Sequence, residues 1–177
     1  MENIRIRSIK IADAENFLSL CKRLDEETEY MMLEPNERNI TIDEQEKQIQ
    51  DILENKSSTI LVAEKNDVLV GYVGAYRENF NRCRHSAYVV TGILASYHGQ
   101  GIGTHLFKAL EEWAKDNHIH RLELTVMVHN EAGIALYKKS GFEIEGIKRH
   151  SLIVGDEFIN ELYVKNNLEP FSSSIGF

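Results

Sequence analysis

Ser96-Tyr97-His98-Gly99-Gln100-Gly101-Ile102-Gly103-Thr104 is the stretch whose reading decides the fold. Before it runs Ser86–Leu94, rich in Val, Tyr and Thr, which reads as a strand. After it, Ile102, Leu106, Ala109, Leu110 and Trp113 recur at the 3.6-residue spacing of a helix with one buried face. A strand therefore passes into a helix through three closely spaced glycines, which admit a ligand close to the backbone because no Cβ intervenes. The first-turn N–H groups of a helix lack intrahelical partners, and the helix dipole favours negative charge beside them. The stretch is thus suited to phosphate or pyrophosphate. Read without a ligand, the same glycines make only a tight strand-to-helix turn.

Working outward, Leu122, Leu124, Val126 and Val128 alternate as a strand, and a short helix from Glu131 to Ser140 stops at Gly141. Glu143–Ile153 and Glu157–Val164 then flank the turn Val154-Gly155-Asp156. On the N-terminal side, Ile4 to Ile9 alternates as a first strand. Ala12 to Thr28 carries Ala14, Phe17, Leu18, Leu20, Cys21 and Leu24 at helical spacing, with Asp13 placed as N-cap. Glu26–Arg38 is acidic, contains Tyr30, Met31, Met32 and Pro35, and reads as an irregular connection. A second helix is expected over Asp43–Asn55, then strands Thr59–Lys65 and Val68–Glu78 joined at Asn66-Asp67. The order β-α-α-β-β-β-α-β-α-β-β is that of a mixed α/β sheet with helices on its faces.

The 177 residues suffice for one domain, expected over residues 1–165, with a tail over 166–177 that reads as a loose end or an interface arm. A homodimer stays open. With 42% hydrophobic and 27% charged residues the composition is globular. Lys and Arg number 20 against 28 Asp and Glu, a net charge of −8, which argues against nucleic acid or an anionic membrane as partner. The N-terminus lacks an apolar leader, and Cys21 and Cys83 are too few for a disulfide framework; a cytoplasmic protein is expected. His118 and His120 form an H-x-H without a third ligand nearby, so no metal is implied.

Which phosphate ligand follows from what is missing. G-x-G-x-x-G would need glycine at Thr104, and a Walker loop would need Lys after Gly103. No H-R-D or D-F-G set points to a kinase. His98-Gly99-Gln100-Gly101-Ile102-Gly103 instead resembles the acetyl-CoA loop of the GNAT superfamily of N-acetyltransferases, [QR]-x-x-G-x-[GA]. His129–Phe142, HNEAGIALYKKSGF, is similar to that family's second motif. The departure is His98, where the family usually has Gln or Arg.

The resemblance implies a mostly antiparallel central sheet, splayed between the fourth and fifth strands, with helices on both faces. It implies acetyl-CoA as co-substrate and an amine as acceptor. Gly99, Gln100, Gly101, Ile102, Gly103 and Thr104, with His98 before them, would hold the CoA pyrophosphate through backbone amides. Thr91, Gly92 and Ile93 would pair with the pantetheine arm as an added strand, and the Thr91 amide would donate to the thioester carbonyl. Asn130 would bond the pantetheine and Lys139 would reach the CoA phosphates. Tyr137 would serve the departing thiolate.

Each assignment has a plainer counterpart. Asn130 is an ordinary helix N-cap, and Tyr137 is half-buried packing with a wet hydroxyl. Glu34, His85, Tyr88, His150 and Glu157 are candidate bases without a motif, and ordered water would dispense with all five. The acids Asp25, Glu26, Glu27, Glu29 and Glu34 are a solvated face or one wall of an acceptor site for a cationic amine. Two other readings remain: a non-catalytic acyl-CoA sensor, and transfer to a protein N-terminus or lysine.

Overall fold

The computed structural model describes residues 4–168. The strands are β1 (Ile4–Ser8), β2 (Thr59–Lys65), β3 (Val68–Arg77), β4 (Ser86–Ile93), β5 (Arg121–Met127), β6 (Glu143–Val154) and β7 (Glu157–Asn167). The helices are α1 (Ala14–Glu27), α2 (Ile42–Asn55), α3 (Ile102–Asp116) and α4 (Glu131–Lys139), with short 3-10 turns at Ile11–Asp13 and Ala95–Tyr97. The element order is the one the sequence predicts. One boundary differs: β7 continues through Asn167 and Leu168 is buried, so the start of the expected tail is strand. The rest of that tail lies outside the described residues.

One seven-stranded sheet runs in the order β1-β2-β3-β4-β5-β7-β6. Every neighbouring pair is antiparallel except β4 and β5, which run parallel. Local chemistry sets the turns. Asn66 and Asp67 both adopt positive φ (50° and 62°), the tight hairpin that Asn and Asp tolerate. Thr41 and Glu44 bond each other's backbone N–H at the start of α2, a reciprocal cap. Asp13 precedes α1 as expected but does not cap it. Its carboxylate is taken by the Arg7 guanidinium (2.6 and 2.9 Å) and by the Lys10 amide (2.8 Å).

Alternation along the strands feeds two apolar clusters. One joins Ile60, Val62 and Tyr72 to Phe17, Leu20 and Leu24 of α1 and Ile49 of α2. The other joins Leu61, Ala63, Val73 and Val89 to Leu106, Phe107 and Leu110 of α3 and Tyr137 of α4. Helices therefore cover both faces. Leu106 and Leu110 are fully buried, so truncating either to Ala costs about 2–5 kcal/mol.

Candidate active site

The parallel junction is short. Only Ser86, Ala87 and Tyr88 of β4 pair with Arg121, Leu122 and Glu123 of β5, after which the strands part. On its other side β4 stays paired with β3 through Ile93, and the Leu94 amide donates to Val70 O at 3.0 Å. Antiparallel residues alternate the edge their backbone groups face. Since Leu94 faces β3, the N–H and C=O groups of Val89, Thr91 and Ile93 face the gap toward β5. The Thr91 hydroxyl is committed elsewhere, donating to Tyr72 O at 2.7 Å. A Cβ on Gly92 would stand 2.6 Å from Leu24, so α1 closes against β4 there.

The loop after β4 is built for close approach. Gly99 and Gly101 have φ of 73° and 79°, conformations that an L side chain strains to adopt. A Cβ on Gly99 would meet nothing, whereas one on Gly103 would stand 2.7 Å from Leu136. The first two glycines thus shape an open turn, and the third lets α3 pack on α4. Gly101 precedes α3, whose first-turn amides have no side-chain cap. Ile102 is buried in the core, so only its backbone is offered. Gln100 bonds Ser96 O at 3.1 Å. His98 points back along the chain: its Nε2 lies 2.7 Å from Ile93 O, on the open edge of β4.

A cavity of about 450 Å³ lies in the splay. Thr91, Asn130 and Tyr137 line it together, with Tyr88 and Thr125 from the two parting strands. Its outer wall is the connection after α1, including Glu29, Tyr30 and Glu34, and the β6–β7 hairpin, including Leu152, Ile153 and Glu161. Asn130 is the N-cap, its Oδ1 accepting from Gly133 N at 2.9 Å, and it still reaches the cavity. The Tyr137 ring packs at 5.7 Å from Phe107, and burial followed by the nearby Tyr88 pushes its phenol up to about 12. Lys139 does not line this cavity. With Thr104 it lines a second one of about 470 Å³, beside α3 and the end of β7.

The acids divide by role. Asp25 is buried in a two-bonded pair with Arg38 (2.6 and 3.0 Å). Glu27 accepts from the Ala95 amide at 3.0 Å, tying α1 to the loop after β4. Glu29 holds His129 at 2.9 Å, which fastens the connection after α1 across to the start of α4. Of the candidate bases, Glu34 and Tyr88 line the cavity; His85, His150 and Glu157 do not. His150 stacks on Phe158 with ring centroids 5.4 Å apart. Glu161 and Thr125 were not foreseen. Glu161 is an acid at an inward position of β7, which is the one trace it leaves in sequence. Among the described residues no group of three or more His, Cys, Asp or Glu is placed to hold a metal, and no helix is long and apolar enough to cross a membrane.

Residues 21–142 match the model of the acetyltransferase (GNAT) family. The N-alpha-acetyltransferase RimI of Mycobacterium tuberculosis is 34% identical over 89 residues, 49% of this chain and 53% of that one. The L-amino acid N-acetyltransferase AaaT of Escherichia coli is 30% identical over 106 residues, 59% and 65% of the two chains. The chain spans less than two thirds of the length of the curated relatives it matches. An acetyltransferase of the GNAT family from Streptococcus pneumoniae superposes with a TM-score of 0.90 at 27% identity, covering 94% of this chain and 99% of that one. The structure of yncA from Salmonella typhimurium, with its cofactor acetyl-CoA, shares the fold at a TM-score of 0.85 and 18% identity, covering 97% and 98%.

Proposed function

The chain belongs to the GNAT acetyltransferase family, and on that premise we propose that it transfers the acetyl group of acetyl-CoA directly to an amine. One observation carries this reading: an open strand edge, an N-capping Asn and a protonated Tyr meet in a single cavity. The residues suit the co-substrate. The left-handed turn at Gly99 and Gly101 and the uncapped amides of α3 suit a pyrophosphate, and Lys139 with Thr104 offers a second polar wall for phosphate. Thr91 and Ile93, beyond the last paired residue, offer backbone groups to an extended arm. When bound, acetyl-CoA supplies the activated acetyl thioester.

The chain's own groups then have distinct tasks. The Thr91 amide donates to the carbonyl oxygen where negative charge grows. The amine nitrogen forms its bond to the carbonyl carbon, the C–S bond breaks, and sulfur leaves with the electron pair. Tyr137 meets that sulfur as a hydrogen-bond donor. Complete proton transfer from a phenol at about 12 to a thiolate whose acid has pKa near 8.5 is uphill by roughly 5 kcal/mol. The phenol therefore stays protonated and stabilises the thiolate, while the amine gives its proton to solvent water, from which the released thiolate is protonated to the thiol.

The cavity wall speaks to the acceptor. Asp25, Glu29, Glu34 and Glu161 line it, with no Lys or Arg among its described lining residues. Asp25 is paired with Arg38, Glu29 with His129 and Glu161 with Lys148, so Glu34 is the acid there with no such pair among the described residues. Such a wall favours an amine that carries further positive charge over one with a carboxylate beside the nitrogen. The two cysteines are free, which supports a reducing, cytoplasmic setting. The test is CoA release from acetyl-CoA with L-alanine, spermidine, kanamycin and an Ala-initiated peptide. Turnover is expected, fastest with the polycationic amines. Tight acetyl-CoA binding without turnover would favour a non-catalytic sensor.

A further inference from the structure

We propose that Glu161, acting through Thr125, is a positioning residue that turns the lone pairs of the Tyr88 hydroxyl toward the amine entering the cavity. The inference rests on the transferase reading above and names the group that receives the amine's N–H. Tyr88 on β4 and Thr125 on β5 face each other across the splay, with hydroxyl oxygens 2.9 Å apart. Thr125 pairs with Tyr163 and Met127 with Glu161 across β5 and β7, so Glu161 is the diagonal neighbour of Thr125 on the same face. Glu161 is 3% exposed and lines the same cavity.

The polarity of this chain follows from counting protons. Burial pushes the Glu161 carboxyl up, but its polar neighbours Thr125, Ser151 and Lys148, with the Lys148 charge, outweigh that and hold it below its ordinary value. Lys148 Nζ stands 3.2 Å from it. Glu161 is therefore a carboxylate at neutral pH and accepts only. Thr125 has one hydroxyl proton, and we place it toward the buried carboxylate that lies diagonal to it on the same face. The proton in the 2.9 Å contact must then come from Tyr88, which donates to Thr125 and keeps its own lone pairs free. Tyr137 presents a donor to the same cavity, so the two tyrosines face it with opposite polarity.

An amine attacks through its lone pair, and an acceptor placed behind one of its N–H bonds orients that lone pair. Tyr88 is placed as this acceptor. Glu161 does not itself take the proton. An alkylammonium near pKa 10.4 and a carboxyl near 4.3 differ by about six units, a factor of roughly a million in the wrong direction. The role is orientation.

The experiment is steady-state CoA release at saturating acetyl-CoA with L-alanine, spermidine, kanamycin and an Ala-initiated peptide. Acetyl-CoA affinity, measured by calorimetry, reports whether each variant is folded. Tyr88→Phe, Thr125→Val and Glu161→Leu should each lower kcat/KM for the amine about tenfold, roughly one hydrogen bond, with acetyl-CoA affinity unchanged. Tyr88→Phe combined with Thr125→Val should lose no more than Tyr88→Phe alone, because the two act on one bond. Glu161→Gln keeps an oxygen for Thr125 and should restore part of the kcat/KM that Glu161→Leu loses. A Tyr88→Phe variant as fast as the parent, losses that multiply in the double variant, or Glu161→Gln as slow as Glu161→Leu would each overturn the inference. A parent that turns over none of these amines would overturn the transferase reading itself.

Discussion

The two walls of the central cavity are made differently. On the β4 side the groups that face the splay and the loop are backbone: the edge at Thr91 and Ile93, and the turn at Gly99 and Gly101. On the opposite side, residues 28–41 and the β6–β7 hairpin are held by side chains, through Asp25–Arg38, Glu29–His129 and Glu161–Lys148. Backbone geometry constrains residue type tightly, because few residues tolerate left-handed φ or the close approach that Gly92 and Gly103 allow. Side-chain contacts can be remade with other pairs. The contrast teaches that one wall is tied to glycine by its backbone geometry, while the other rests on pairs that substitution can replace.

The largest effect that would test this contrast is on stability. Asp25→Ala leaves Arg38, only 20% exposed at its side chain, without its partner. Breaking such a pair is expected to cost about 2–4 kcal/mol, discounted for that exposure, in urea denaturation. Acetyl-CoA affinity should stay near the parent's if the walls are independent. Comparable loss of both would break the division.

Next is Tyr137→Phe, which keeps the ring packing against Phe107. A hydrogen bond to a charged group contributes about 1.5–3 kcal/mol, so kcat and kcat/KM should fall together by roughly 10- to 150-fold. An unchanged kcat would remove Tyr137 from the chemistry. Smaller again is Gly101→Asp, which strains a φ of 79° and adds negative charge at the loop. Calorimetry should show acetyl-CoA bound at least about tenfold more weakly, with circular dichroism unchanged. Equal affinity in a folded variant would place the pyrophosphate elsewhere.

The smallest effect concerns pH. The folded-state pKa of Glu161 is depressed, so its contribution to stability is present above the unfolded value of 4.5 and is lost as pH falls through the folded one. The difference in Tm between the parent and Glu161→Gln should therefore be largest near neutrality and vanish under acid conditions. A difference that persists at acid pH would mean that the glutamate contributes by packing.

The sequence disclosed the β4 wall almost completely and the other wall hardly at all. Alternation and helical spacing located every strand and helix, since the burial that selects those residues repeats along the chain. The parallel junction was legible only through the family resemblance, because no residue type marks where two strands part. Asn130 and Tyr137 carried a motif and reach one cavity. Lys139 carried one too, yet lies in the neighbouring groove with Thr104. Thr125 and Glu161 carried none: a Thr on a strand reads as ordinary β-propensity, and a lone Glu in β7 gains meaning only from strands distant in sequence. Asp13 misled in the same way. It had the position of a helix cap, but Arg7 of β1, itself shared with Glu64 of β2, claims its carboxylate.

The three-residue junction between β4 and β5 has a mechanical side. It divides one sheet into two plates, β1 to β4 and β5 to β7-β6, seamed at one end only. A load that spreads the plates meets the three paired residues in turn rather than a full row of bonds at once. An extended chain laid between the plates adds rungs beyond that seam. A chain seated there would thus stiffen the molecule, and the amides of Thr91 and Ile93, beyond the paired residues, would report the stiffening by slower solvent exchange.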